Sequence, residues 1–175
     1  MRGKRPDEDV LRRFYREHVD AVYAFFAYSV ERHTAEDLTA STFERALRAW
    51  GRYDAAVASE RTWVLSIARN LLVDHFRRQK HRAAASIDEE GAVPELPSPD
   101  DPLARGLDQD ELRGWLAHLS DRERQVLALR YGADLQAAEV AELLDLSAAN
   151  VHQIVSRAMR RLREVAGAER VSDSA

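Results

Sequence analysis

The sequence contains no cysteine, so neither a disulfide framework nor a thiolate metal site is open to it, which fits a reducing cytosol. Glycine and proline are scarce, at seven and five residues, and four of the prolines (Pro94, Pro97, Pro99, Pro102) fall in one short stretch. That scarcity argues against a β-sandwich, which needs turn residues at regular intervals, and against a low-complexity disordered chain. No long hydrophobic run is present. The most apolar stretch, Ala21 to Val30, is too short to span a bilayer and carries two tyrosines, so it reads as a buried helix and no membrane insertion is expected. Met1 to Val10 is basic and then acidic with no apolar core, so a signal peptide is not expected. Also missing are a glycine-rich phosphate loop, a dinucleotide fingerprint and an HExxH metal motif. The six histidines are scattered, and His75 and His81 flank a basic helix face rather than suggesting a metal site. The sequence therefore points away from an enzyme and implies no metal and no cofactor.

What is present is charge and helix-forming residues. Charged residues make up 32% and hydrophobic residues 45% of the 175, with recurrent Leu, Ala and Arg, which predicts an all-α protein. A formal net charge of −4 weighs against nucleic-acid binding, since phosphate contacts require Lys and Arg. The distribution reverses that impression. Between Arg69 and Arg82 five basic residues (Arg69, Arg77, Arg78, Lys80, Arg82) face a single acid, Asp74, and the run Arg157, Arg160, Arg161, Arg163 contains no acid. From Asp88 to Glu111 nine acids are offset only by Arg105.

The acidic, proline-containing stretch 83–106 reads as a linker between two helical halves, 1–82 and 107–168. Fully extended it would reach on the order of 80 Å, enough for the halves to grip separate sites on one duplex. A solvated tether is the plainer reading. In the first half, helices are predicted near Asp7 to Val30, Ala35 to Trp50 and Glu60 to Arg82, with Thr34 capping the second and Gly51 ending it. The third is read on apolar positions Trp63, Ile67, Leu71 and Leu72. Core packing is the plain role for Trp63, Phe25, Phe26 and Phe43.

In the second half, Ser120-Asp121-Arg122-Glu123 has the form of a capping box, opening a helix to about Tyr131. A short helix from Ala138 to Leu144 and a turn at Asp145-Leu146-Ser147 follow, and Ser147 then caps a longer helix. Along that helix Val151, Ile154, Val155, Ala158, Met159, Leu162 and Val165 follow the helical apolar period. The opposite face carries Asn150, His152, Gln153, Ser156, Arg157, Arg160 and Arg161. A short helix, a tight turn and a longer helix with a polar, basic outer face make a helix-turn-helix, which lays its second helix in the major groove. Asn and Gln pair bidentately with adenine, Arg with guanine or phosphate, and small Ala148 and Ala149 allow close approach. A solvated helix face is the alternative for the same pattern.

The stretch LSDRERQVLALRYGADLQAAEVAELLDLSAANVHQIVSRAMRRLRE, Leu119 to Glu164, resembles the C-terminal promoter-binding domain (region 4) of extracytoplasmic-function sigma factors of bacterial RNA polymerase. Thr34 to Trp50 (TAEDLTASTFERALRAW) resembles the family's polymerase-docking helix, and Thr62 to Arg78 (TWVLSIARNLLVDHFRR) its promoter-melting segment, both in region 2. The resemblance implies a region 2 helical bundle over 1–82 and a region 4 helix-turn-helix over 107–168. It implies that Asp37, Leu38, Thr39 and Phe43 dock on the clamp helices of the largest polymerase subunit, with region 4 on the flap of the second-largest. It further implies that Tyr53, Trp63, Arg69, Asn70, Arg77 and Arg78 engage the minus-ten element, where separated strands expose bases for stacking and hydrogen bonding. Ser147, Ala149, Asn150, His152, Gln153, Ser156, Arg157 and Arg160 would meet the minus-thirty-five element.

By the same resemblance the partners are core RNA polymerase, promoter DNA and an anti-sigma factor, and the place of action is the cytoplasm, at the nucleoid when in holoenzyme. The acidic linker could thread into basic polymerase channels as a nucleic-acid mimic. The sequence departs from the family at Ala40 and Ser41 in the docking helix, at Gln136 and Ala137, at Asp145 in place of the usual turn glycine, and at His152, Gln153 and Ile154. Promoter preference therefore does not transfer from a relative. The competing reading is a LuxR-like helix-turn-helix regulator, whose DNA-binding domain opens similarly but whose first half would be a receiver or ligand-binding domain. A helical protein-binding adaptor leaves both basic faces unexplained.

Overall fold

The computed structural model describes residues 6–85 and 114–172, which form helices and turns with no strand among them. They fall into two units, one carrying three long helices and one carrying two short helices and one long one in the C-terminal half. The first part of the expected linker, 83–85, is helical, and 86–106 lies outside the described residues.

In the first unit, α1 spans Glu8–Ala27 and starts where Asp7 accepts the Val10 N–H through Oδ1 at 2.9 Å. Phe14, His18, Ala21, Val22, Phe25 and Phe26 recur every three or four residues and are buried. Helix α2 spans Arg32–Ala49, three residues earlier than predicted. Its N-cap is Glu31, and Thr34 sits inside the first turn, donating through Oγ1 to Glu31 Oε1 at 3.1 Å. The hydroxyl of Thr34 thus serves the preceding turn instead of capping the helix. Gly51 does not end α2 by a left-handed cap either, because the helix tightens into a 3₁₀ turn at Trp50–Arg52 that contains it.

The buried side of α2 is Ala35, Thr39, Thr42, Phe43 and Ala46. The two buried hydroxyls are satisfied one turn back, Thr39 by the Ala35 carbonyl and Thr42 by that of Leu38, each at 2.7 Å. Helix α3 spans Glu60–Ala85, capped by Ser59 Oγ, which accepts the Thr62 N–H at 3.1 Å. Its buried residues are Val64, Leu65, Ala68, Leu71 and Leu72. Leu71 and Leu72 are buried as expected, but Trp63 and Ile67 are only partly covered, so in the first half of the helix the core stripe runs through Val64, Leu65 and Ala68 instead.

In the second unit, a helical stretch at 114–117 precedes α4, Asp121–Leu127, which opens with the Ser120–Glu123 capping box. The chain then widens into a π turn at Ala128–Gly132, closed by the Ala133 N–H on the Ala128 carbonyl at 2.8 Å. The predicted continuous helix to Tyr131 therefore ends its α form at Leu127. Helix α5 spans Ala137–Leu144 and α6 spans Ala148–Ser172. Between them Asp145 is left-handed (φ 54°) and the Leu146 N–H reaches the Ala141 carbonyl at 2.8 Å, a Schellman closure. Ser147 Oγ then accepts the Asn150 N–H at 3.1 Å and starts α6. Arg122 of α4 donates to the Leu144 carbonyl at 3.1 Å, tying α4 to this turn. Leu127, Leu129, Leu135, Val140, Leu144, Val151 and Ala158 form the core beneath.

Candidate nucleic-acid interface

The outer face of α6 is what the sequence pattern predicted. Val151 and Ala158 are fully buried, Ile154, Val155, Met159, Leu162 and Val165 are partly covered, and Ser147, Ala149, Asn150, His152, Gln153, Ser156, Arg157 and Arg160 are all exposed. Among the described residues Arg157 touches no carboxylate directly, its charge acting on Glu123 from a distance, and Arg160 has only a loose 3.9 Å approach to Glu164, so both exposed guanidinium groups are open to an anion. Arg161 is not in that position. Its Nη1 donates to Glu123 Oε2 at 2.9 Å. The same oxygen accepts the Ser120 N–H at 2.9 Å and the Ser120 hydroxyl at 2.8 Å. Burial pushes the Glu123 carboxyl up, but the Ser120 hydrogen bonds and the charges of Arg161 and Arg157 outweigh it and hold the group below its ordinary value.

In the first unit the 3₁₀ turn and the loop after it bring aromatic rings together. The Tyr53 and Trp63 rings are 4.9 Å apart, Trp50 lies 5.8 Å from Trp63, and Phe14 closes the cluster from α1 at 4.8 Å from Trp50. The Trp50 and Phe14 contributions escaped the sequence reading, because nothing in the local pattern shows that α1 passes beneath this turn. Beside the cluster Arg13 bridges Glu17 at 2.7 Å and Glu60 at 2.8 Å, while His18 Nε2 is 3.5 Å from the other Glu60 oxygen. Burial raises the Tyr53 phenol, reinforced by Glu60 and opposed by Arg13, so it remains a protonated hydrogen-bond donor at neutral pH.

Trp63, Asn70 and Arg77 are spaced by seven residues and share one stripe of α3, with Asn70 roughly 10 Å along the helix from Trp63. Asn70, Arg77 and Arg78 are exposed, and Arg69 is partly covered with a buried Nε that lacks a hydrogen-bond partner. Arg77 leans on Asp74 at 3.3 Å. The structure thus brings Tyr53 and Trp63 into contact and sets Asn70 and the arginines further along the same helix, giving a ring cluster continued by an amide and cations.

The docking positions divide differently. Asp37 is exposed and Leu38 partly so, but Thr39 and Phe43 are each only 6% exposed. They face the bundle because the i, i+4 period that carries Ala35 inward carries them inward as well. From there Thr39 and Phe43 hold α2 in place. Phe43 meets Phe14 and Tyr15, with ring centroids 5.7 and 4.7 Å away, and lines a groove with Leu11, Tyr15 and Leu47.

A three-helix unit with a half-buried aromatic cluster continued by exposed cations, and a second unit with a helix-turn-helix, define a helix-turn-helix nucleic-acid-binding protein. Residues 14–82 match Sigma-70 region 2, and residues 115–164 match Sigma-70, region 4. The chain is 35% identical over 138 residues to the ECF RNA polymerase sigma factor SigC of Mycobacterium tuberculosis, covering 78% of this chain and 72% of that one. It is 31% identical over 163 residues to the sigma factor BldN of Streptomyces coelicolor, covering 92% of this chain but only 62% of BldN. Its fold is similar to that of the sigma factor RpoE of Bartonella quintana, solved with the anti-sigma factor NepR, at a TM-score of 0.76, 21% identity and coverage of 91% of this chain and 98% of that one. The chain belongs to the extracytoplasmic-function family of RNA polymerase sigma factors, which direct core polymerase to promoters and are not catalysts. The match of the first unit to region 2 removes the LuxR-like regulator, whose first half would be of another kind. Among the described residues no helix is long and apolar enough to cross a membrane.

Proposed function

We propose that the two units divide promoter recognition between them. Helix α6 lies in the major groove of the minus-thirty-five element, with Asn150, His152, Gln153 and Ser156 reading base edges, Ser147 and Ala149 at the close-approach end, and Arg157 and Arg160 on phosphates. The exposure of this whole set on the face opposite Val151 and Ala158 is the observation that carries the reading. In the first unit, Trp63 and Tyr53 stack on separated bases of the minus-ten element while Asn70 hydrogen-bonds to a base edge, and Arg69, Arg77 and Arg78 follow the backbone. Stacking on aromatic rings beside a cationic groove is the general means of holding single strands.

Asp37 and Leu38 meet the clamp helices of the largest polymerase subunit, with Thr39 and Phe43 acting from beneath, and the second unit meets the flap of the second-largest. The working domains are 1–82 and 107–168, joined by the linker 83–106. The protein acts in the cytoplasm, performs no chemical step of its own, and is held inactive by an anti-sigma factor. The solved complex of the similar RpoE with NepR supports that last element. The test is run-off transcription with core polymerase and a genomic DNA library, with and without the protein. New 5′ ends that share two upstream elements support the reading. Without new ends, a pull-down that fails to recover the core enzyme ends it.

A further inference from the structure

On α6 the apolar anchoring weakens toward the C-terminal side: Val151 and Ala158 are fully buried, whereas Leu162 and Val165 are only partly covered. Where packing gives out, Arg161 crosses to α4 and meets Glu123, an ion pair separated by 38 residues in sequence with a side-chain exposure of 12% on the carboxylate. The carboxylate is itself immobilised, because Ser120 donates to it twice in the capping box. Arg157, one turn back on the same face, is exposed and acts on Glu123 only through its charge, without the direct hydrogen bond that Arg161 makes.

We propose that Glu123 is a positioning residue for promoter recognition: by holding Arg161 it sets α6 against α4 at the angle the duplex requires, and it divides the basic face into a strut, Arg161, and phosphate contacts, Arg157 and Arg160. The inference rests on α6 being the promoter-contacting helix. Arg161 is then a structural cation in spite of its place in the basic run, and removing it disturbs orientation without removing a phosphate contact. Because the pair is partly exposed, its contribution is modest, and the effect on binding is about threefold.

The experiment uses holoenzyme assembled with the full-length chain and a promoter fragment mapped by run-off transcription. Affinity is measured across a potassium chloride series on the duplex carrying both elements and on a premelted template carrying only the minus-ten element. Glu123→Gln preserves the capping box, since glutamine serves at that position, but removes the charge that holds Arg161. Glu123→Gln and Arg161→Ala are each expected to weaken duplex binding about threefold, to leave the premelted template unaffected, and in combination to do no more than either alone. The slope of log affinity against log salt stays unchanged in Arg161→Ala, whereas Arg157→Ala lowers it by about one. A slope lowered by Arg161→Ala to the same extent, additive effects in the double variant, or equal losses on both templates would overturn the proposal. If Glu123→Gln does not fold, Arg161→Ala, which leaves the cap untouched, carries the test. Should Arg157→Ala change neither affinity nor slope, the promoter-contacting role of α6 fails and this proposal with it, while failure of the Glu123 and Arg161 variants alone leaves that role standing.

Discussion

Arg13 Nη2 donates to Glu60 Oε1 at 2.8 Å, a hydrogen-bonded ion pair between residues 47 apart in sequence that joins α1 to the first turn of α3. His18 approaches the second oxygen of the same carboxylate, and the Tyr53–Trp63 ring pair lies beside it. The pair therefore braces the end of α3 that presents the aromatic cluster.

Burial raises the Glu60 carboxyl, but the hydrogen bond and charge of Arg13, with a smaller contribution from His18, outweigh it and leave the group below its ordinary value. A carboxyl depressed by folding binds fewer protons in the native state, so its stabilisation is present above the unfolded-state value and is lost as pH falls through the folded one. Glu60→Gln is accordingly expected to lower the melting temperature most near neutral pH. The difference from the wild type should shrink to nothing as the solution is acidified below the carboxylate range. Thermal unfolding followed by circular dichroism across pH checks this, and a constant difference at all pH values would contradict it.

Asp145 occupies the left-handed region in the turn between α5 and α6, where a side chain is strained and glycine is not. Asp145→Gly is expected to raise stability by about 0.5 kcal/mol, and Asp145→Val to lower it by more than about 1 kcal/mol. Urea unfolding of the full chain measures both. The order of the two variants matters more than the sizes, and its reversal would show that the Asp145 side chain contributes a contact outweighing its backbone strain.

Ser147 caps α6 through the Asn150 N–H. Ser147→Ala should cost about 1 kcal/mol of stability, and Ser147→Asp, which restores an acceptor, should recover most of it. Loss in both variants alike would locate the importance of Ser147 elsewhere than in the cap.

Gln153→Ala and Arg157→Ala are each expected to weaken holoenzyme binding at the minus-thirty-five element by about 1–3 kcal/mol or less while leaving core polymerase binding intact. Of the two, Gln153→Ala should also relax sequence preference at one base position, whereas the arginine loss should be uniform across sequences. A promoter gel shift with polymerase, paired with a pull-down of the core enzyme, separates the two outcomes.

The sequence by itself determined which segments are helices and which face of α6 is presented. Ser120 and Glu123, three residues apart, form a cap from local geometry alone, and the apolar period from Val151 to Val165 leaves only one side for Asn150, Gln153 and Arg157. These are short-range properties, set by helical spacing and by hydrogen bonds within one turn. Thr34 shows the limit even at that range, since its hydroxyl turned back to Glu31 when a competing start one turn earlier was available.

Other features depended on where distant residues came to lie. The inward turn of Thr39 and Phe43 follows from α2 packing its Ala35 side into the bundle, and the partial exposure of Trp63 from α3 burying Val64 and Leu65 more deeply. Phe14 and Trp50 join Tyr53 and Trp63 only because α1 and the 3₁₀ turn meet. The same holds for the two ion pairs, Arg13 with Glu60 and Arg161 with Glu123. A basic run looks uniform along the chain, but whether a guanidinium is free or already held depends on which carboxylate another helix brings within about 3 Å, and that is a property of packing between helices, outside the reach of periodicity.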